Sequence, residues 1–468
     1  MKSIIIFSFV AATSAYFSGG PCSNTTAPRV YTTKGFIEGL CLTNDPSPVH
    51  GFLSVPYAKP PIGDLRLEKP VESDRWTGIK ETKVQPPRSL KPVVVIIPGG
   101  AYTGGGARQH GAIGIAKNLV SKEVVVVVLQ YRLGIFGFGS TGDSAIPGNY
   151  GLFDIKMVLE WIQKNIIFFG GNPKSVTLNG GSAGAGAVDC LSISPSTYSI
   201  LKAKLKALVN ITPALSGWSI IKEDSFGVIT GEFGPIFDRD FFPVESKRVL
   251  RNVAPVKPRV HGCTFHEGAM MTGAITITNS TLDNLLNVIV PEGLVTNRSE
   301  IIDHLRAQYQ ERGAALEPND PAFGERIIIS SVKDVMDRLN ELHGFSQKSY
   351  LYVFKYFTPT AYLALYPYVS YASHALEQNY MFAMGTYSYD SNDMIMVDMM
   401  TRAVSNFAKT GNPNKPMRLP INWQRNTLVN KDRQIVFDLQ PQISDNFFND
   451  RIRINNWLGK AAGYFPLP

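Results

Sequence analysis

Phe169-Gly170-Gly171-Asn172-Pro173-Lys174-Ser175-Val176-Thr177-Leu178-Asn179-Gly180-Gly181-Ser182-Ala183-Gly184 decides the reading of this chain. Val176 to Asn179 has the composition of a short strand, and it runs into a Gly-x-Ser-x-Gly turn and then an Ala/Gly-rich helix. A serine on a sharp strand-to-helix turn holds its hydroxyl clear of the backbone. Gly180 and Gly184 let the strand and the helix approach closely on either side of it. The helix that starts at Ala183 aims its unpaired N–H groups toward the serine, where an oxyanion would form. Five residues of this pattern carry little weight alone in a chain with 41 glycines. The strand before them, the small-residue helix after them and the Phe-Gly-Gly-Asn-Pro lead-in give them a structural context.

Working outward, the flanking segments alternate between strand and helix patterns. Val30 to Leu42 and Gly51 to Tyr57 are β-rich, and the Pro-rich turn Lys59-Pro60-Pro61-Ile62-Gly63 follows. Lys91 to Ile97 and Glu123 to Gln130 are nearly unbroken β-branched runs, the pattern of strands buried on both faces of a sheet. Tyr150 to Asn165 carries Leu152, Val158, Leu159 and Ile162 at helical spacing. Lys206 to Ile211, Pro258 to Cys263 and Tyr350 to Tyr356 read as further strands. This alternation predicts an α/β fold, a doubly wound and mostly parallel central sheet with helices on both faces. Ligands in such sheets bind beyond the carboxyl ends of the strands, and Gly100, Ser182 and Glu267 each follow a predicted strand.

The 468 residues are 44% apolar, enough for a large core in one α/β domain, here residues 16–468. Met1-Lys2-Ser3, the apolar run Ile4 to Ala12 and Thr13-Ser14-Ala15 have the pattern of a leader cleaved after Ala15. The alternative for this segment is a buried N-terminal strand. No later segment has the roughly 18 uninterrupted apolar residues of a membrane span, so the expectation is a secreted, extracellular chain. Asn24, Asn279 and Asn297 begin glycosylation sequons; Asn210 begins a fourth, but it ends an apolar strand. Of four cysteines, Cys22 and Cys41 could pair, whereas Cys190 and Cys263 sit where buried thiols are expected. The spacing of Cys and His offers no zinc site. The net charge of +8 is spread without Lys/Arg-rich runs or interleaved aromatics, which argues against a nucleic-acid partner.

Longer runs give a more specific signal: the Gly51-Phe-Leu-Ser-Val-Pro-Tyr-Ala-Lys-Pro-Pro-Ile-Gly63 region, Tyr131-Arg132-Leu133-Gly134, Gly148-Asn149-Tyr150-Gly151-Leu152 and the segment ending Asn406-Phe-Ala-Lys-Thr-Gly-Asn-Pro-Asn414. Over nearly its whole length the chain resembles the type-B carboxylesterase and cholinesterase family of α/β-hydrolases. The resemblance implies a serine esterase acting on a small-molecule ester through a Ser–Glu–His triad, with no metal or organic cofactor. Ser182 matches the nucleophile. Glu267, in Gly262-Cys263-Thr264-Phe265-His266-Glu267-Gly268, matches the acid. His374, in Ser373-His374-Ala375-Leu376-Glu377, matches the base. Backbone N–H groups of Gly100, Ala101 and Ala183 match the oxyanion hole. The oligomeric state is not legible.

Three departures from the family pattern stand out. Pro98-Gly99-Gly100-Ala101-Tyr102 replaces the usual His-Gly-Gly-Gly-Phe. The change to alanine is harmless if Ala101 has a negative φ, but Pro98 removes a side chain that often braces the loop. Gly181 stands where the relatives carry glutamate, which weighs against a cationic choline ester and for a neutral one. The chain is also shorter than the family between Trp76 and Lys91 and between Ile220 and Phe226, so the fold is expected to be trimmed in two places. A trimmed enzyme, a product lacking coding segments, and a catalytically silent binding ectodomain are all open at this point.

Overall fold

The computed structural model describes residues 3–7, 27–43, 48–77, 89–200, 205–211, 233–244, 246–267, 283, 286–287, 297–313, 332–333, 336–337, 348–359, 371–382 and 389–448. The two stretches expected to be shortened, and the sequons at Asn24 and Asn279, lie wholly or mostly outside these residues. In the described part, β1 (Ser3–Phe7), β4 (Leu40–Thr43), β5 (Val49–Val55), β6 (Lys91–Ile97), β7 (Val125–Val128), β8 (Gly171–Gly181), β9 (Leu205–Ile211), β10 (Arg259–Thr264), β11 (Ser349–Phe354), β12 (Gln434–Phe437) and β13 (Gln442–Ser444) form one sheet. Its order is β13-β12-β11-β10-β9-β8-β6-β7-β1-β5-β4. Neighbours run parallel from β5 through to β12, and antiparallel strands close both edges. β2 (Arg29–Thr32) and β3 (Gly35–Glu38) make a separate hairpin.

The valine runs explain why the centre of the sheet is two-sided. Side chains alternate along a strand, so Val94 and Ile96 of β6 and Val126 and Val128 of β7 enter one core, with α1 (Ala112–Asn118) and α8 (Ser391–Thr410). Val93, Val95, Val125 and Val127 enter the opposite core with α3 (Tyr150–Asn165) and α4 (Ala183–Ile193). Other helices include α2 (Gly134–Phe138), α5 (Lys247–Val253), α6 (Arg298–Gly313) and α7 (Leu376–Phe382). Helix α8 starts at a capping box in which the Asp390 side chain accepts from Asn392 and Asp393, and it ends at Gly411 in the left-handed region.

The N-terminal segment read as a leader occupies a strand in this structure. Ile4 and Ile5 pair with Gly51 and Phe52 of β5 on one side and with Val126 and Val127 of β7 on the other. Three consecutive isoleucines suit an extended backbone, and the slot between β5 and β7 offers unpaired N–H and C=O groups along both walls. Cleavage after Ala15 would remove this strand from the interior of the sheet. Cys41 is disulfide-bonded, and Cys22 lies outside the described residues. Cys190 and Cys263 are buried thiols that take no part in a disulfide. Asn297 is exposed, and Asn210 is held within β9, paired on both sides.

Candidate active site

Glycines fix the turn that carries Ser182. A Cβ at Gly180 would collide with the Gly184 backbone, and one at Gly184 would collide with the Ile97 carbonyl. β8 and α4 therefore pack at backbone distance, against β6. Ser182 sits between them at φ 55° and ψ −131°, a conformation L-residues rarely adopt. Such strain costs on the order of 1–3 kcal/mol and is held by the surrounding packing. The Ser182 carbonyl accepts from the N–H groups of Ala185 and Gly186, so the first turn of α4 is closed directly behind the serine.

Two loops bring the histidine and the carboxylate to it. Beyond β10, Phe265 N–H donates to Phe354 O and His266 N–H to Ala372 O, and a parallel bridge joins His266 to Ser373. That bridge sets Glu267 beside His374. His374 Nδ1 lies 2.7 Å from Glu267 Oε2, and His374 Nε2 lies 2.8 Å from Ser182 Oγ. Thr264 N–H donates to the other carboxylate oxygen, Oε1, at 2.6 Å, which locks Glu267 in place. Both Glu267 and His374 are buried. Burial would lower the histidine pKa, but the charge and hydrogen bond of Glu267, helped by the Glu377 charge, outweigh it and hold the pKa above its ordinary value. Glu377, the other nearby carboxylate, faces the Tyr352 hydroxyl at 3.5 Å rather than the imidazole.

The loop after β6 lies against the same turn. A Cβ at Gly99 would strike the Gly181 carbonyl and the Ser182 Cβ, so this loop packs directly on the serine. Ala101 has φ 51° and Tyr102 φ 60°, so the negative φ on which a harmless alanine depended is not found. Two consecutive non-glycine residues in the left-handed region cost about 1–2 kcal/mol each. The loop is braced without a side chain at position 98. Tyr131 hydroxyl donates to Pro98 O at 2.8 Å, Gly134 N–H donates to Tyr102 O, and the N–H groups of Thr103 and Gly104 donate to Gly100 O. Among the described residues, no backbone hydrogen bond uses the N–H of Gly100 or Ala101. Ala183, first in α4, has no intrahelical acceptor for its N–H.

One residue near the serine was not legible in the sequence. The space that a side chain at Gly181 would need is filled by the Gln378 amide. Only the missing side chain at position 181 hinted at such a neighbour, and nothing in the sequence locates the group that replaces it.

The residue arrangement agrees with comparisons to known proteins. The model of the carboxylesterase family matches residues 26–91, 86–228 and 221–454, and its breaks fall at the two stretches read as shortened. The chain is 29% identical to esterase cest-33 of Caenorhabditis elegans, over 85% of this chain and 88% of that protein. It is 25% identical to carboxylesterase 3B of Mus musculus over 83% of both chains. It is 35% identical to carboxylesterase 5A of Homo sapiens over 43% of this chain and 42% of that one. The chain has the α/β-hydrolase fold and belongs to the carboxylesterase family.

Proposed function

We propose that this chain hydrolyses small neutral carboxylic esters through an acyl-enzyme on Ser182. The observation that carries this reading is the continuous relay from Glu267 through His374 to Ser182, with contacts of 2.7 and 2.8 Å. Ser182 Oγ attacks the ester carbonyl carbon as His374 Nε2 takes its proton. The oxyanion that forms is held by the N–H groups of Gly100, Ala101 and Ala183. As the carbonyl re-forms, the bond to the alcohol oxygen breaks and His374 returns the proton to it. Water then attacks the acyl-serine with His374 again as base, and the acid leaves. Glu267 fixes the imidazole tautomer and stabilises the imidazolium in both halves. The names of the relatives, esterases and carboxylesterases, support the same reaction class.

The absence of a side-chain carboxylate at Gly181, with a neutral amide filling its space, argues for an uncharged substrate. The cleanest comparison is acetylcholine against 3,3-dimethylbutyl acetate, its uncharged shape-match. The neutral ester should show the higher kcat/KM by about tenfold, the weight of one close charge pair left unmade. A higher kcat/KM for the choline ester would contradict the substrate assignment. We further propose entry into the secretory route, supported by the bonded state of Cys41 and the exposed sequon at Asn297. Among the described residues no helix is long and apolar enough to cross a membrane.

A further inference from the structure

We infer that the side-chain amide of Gln378 binds the alcohol portion of the substrate and selects esters whose alcohol carries a free hydroxyl, the esters of polyols. The inference rests on the esterase reading above and adds a substrate class to it. Gln378 is the third residue of α7, and its backbone N–H donates to Ala375 O in the turn that follows His374. Its side chain is directed at the turn that presents Ser182, because a Cβ at Gly181 would collide with the amide nitrogen, carbon and oxygen alike. The residue is only 5% exposed, and its amide, which makes no side-chain hydrogen bond among the described residues, is not sealed from solvent. An amide with two donor and two acceptor sites in such a place can exchange water for a substrate group that matches its hydrogen bonds. Beside a serine that attacks esters, a bound substrate can supply that group.

The side of the site follows from the proton path. His374 returns its proton to the leaving oxygen, so the alcohol lies on the imidazole side of Ser182. Gln378 reaches the serine turn from the helix that follows His374, with its amide against Gly181. A hydroxyl on the alcohol can accept from the amide N–H and donate to the amide oxygen at once. A cation would lose its water shell beside a neutral group, and a plain alkyl chain would leave the amide unpaired.

A matched pair tests this: ethyl butyrate and 2-hydroxyethyl butyrate, which differ by one hydroxyl at the reporting position. The parent should favour the hydroxylated ester in kcat/KM by about 3- to 10-fold, the range of one neutral hydrogen bond. Gln378→Leu should abolish that preference, with the loss falling mainly on KM for the hydroxylated ester. Gln378→Glu keeps an acceptor and should restore the preference. If Gln378→Leu does not fold, Gln378→Met serves in its place. Labelling of Ser182 by a phosphonate carrying no hydroxylated alcohol reports that each variant has an assembled site. An unchanged preference in a labelled Gln378→Leu or Gln378→Met variant overturns the inference, as does a labelled parent that favours the ethyl ester. A parent that neither takes label nor cleaves either ester overturns the esterase reading, and the inference falls with it.

Discussion

Ser182→Ala should lower kcat by about a million-fold, and Glu267→Gln by about 10⁴-fold, in proteins that melt at the parent's temperature. The serine loss removes the atom that forms the acyl bond. The glutamine leaves the contact near 2.7 Å to His374 Nδ1 sterically intact but can present its NH₂ to that nitrogen. The tautomer that places the lone pair on Nε2, toward Ser182, is then no longer enforced. Groups acting as a unit lose their effect together, so Ser182→Ala/Glu267→Gln should be hardly worse than Ser182→Ala alone. Glu377→Gln should be much milder, because Glu377 influences His374 through its charge and does not touch the ring's Nδ1. Steady-state kinetics on the four variants checks this. A larger loss for Glu377→Gln than for Glu267→Gln would mean that the orienting acid is misassigned.

The largest stability effect should come from behind α4. Asp189 accepts two hydrogen bonds of 2.8 Å from Arg251 of α5, and Arg259 Nη1 at the start of β10 lies 3.9 Å from the same carboxylate. All three are buried, so one carboxylate serves two guanidiniums. Burial pulls both arginines down, but direct pairing with Asp189 holds Arg251 above its ordinary value, whereas Arg259 falls to about 10. Asp189→Asn keeps the shape and removes the counter-charge from a dry site. Breaking a buried pair in this way costs about 3–5 kcal/mol. Urea unfolding should show that loss, with only a small shift for Asp445→Asn at the exposed Arg433 pair. Similar midpoints for the two variants would show that water reaches the Asp189 cluster.

Much of this architecture is written locally. The β-branched runs at 91–97 and 123–130 became β6 and β7, and the helical spacing from Tyr150 to Asn165 became α3 with those ends. Each signal depends on residues close together in the chain, where periodicity reports burial directly. The strand before the serine was read as Val176 to Asn179 but runs from Gly171 to Gly181, because pairing with β6 extends its start and pairing with β6 and β9 extends its end. Ser182, Glu267 and His374 were named from motifs, and the structure brings all three within hydrogen-bond reach.

What was not legible depended on distant partners. The backbone of Ala101 is set by hydrogen bonds to Gly100 O and Tyr102 O and by packing on Gly181, none of which its side-chain type reveals. Ser3 to Phe7 has an apolar pattern that serves a leader and a strand equally well, and its pairing with β5 and β7 depends on residues far along the chain. The contact of Gln378 with Gly181 joins the start of α7 to the end of β8, which tertiary packing alone brings together.

The central claim is that Ser182 is an activated nucleophile, and covalent labelling tests it most directly. The folded protein is treated with a fluorophosphonate and the adduct is located by peptide mass spectrometry. One adduct on the peptide containing Ser182 is expected, formed rapidly by the parent and slowly by Glu267→Gln, and absent from Ser182→Ala and from urea-unfolded chain. An adduct on a different residue, or none on folded protein, would contradict the account.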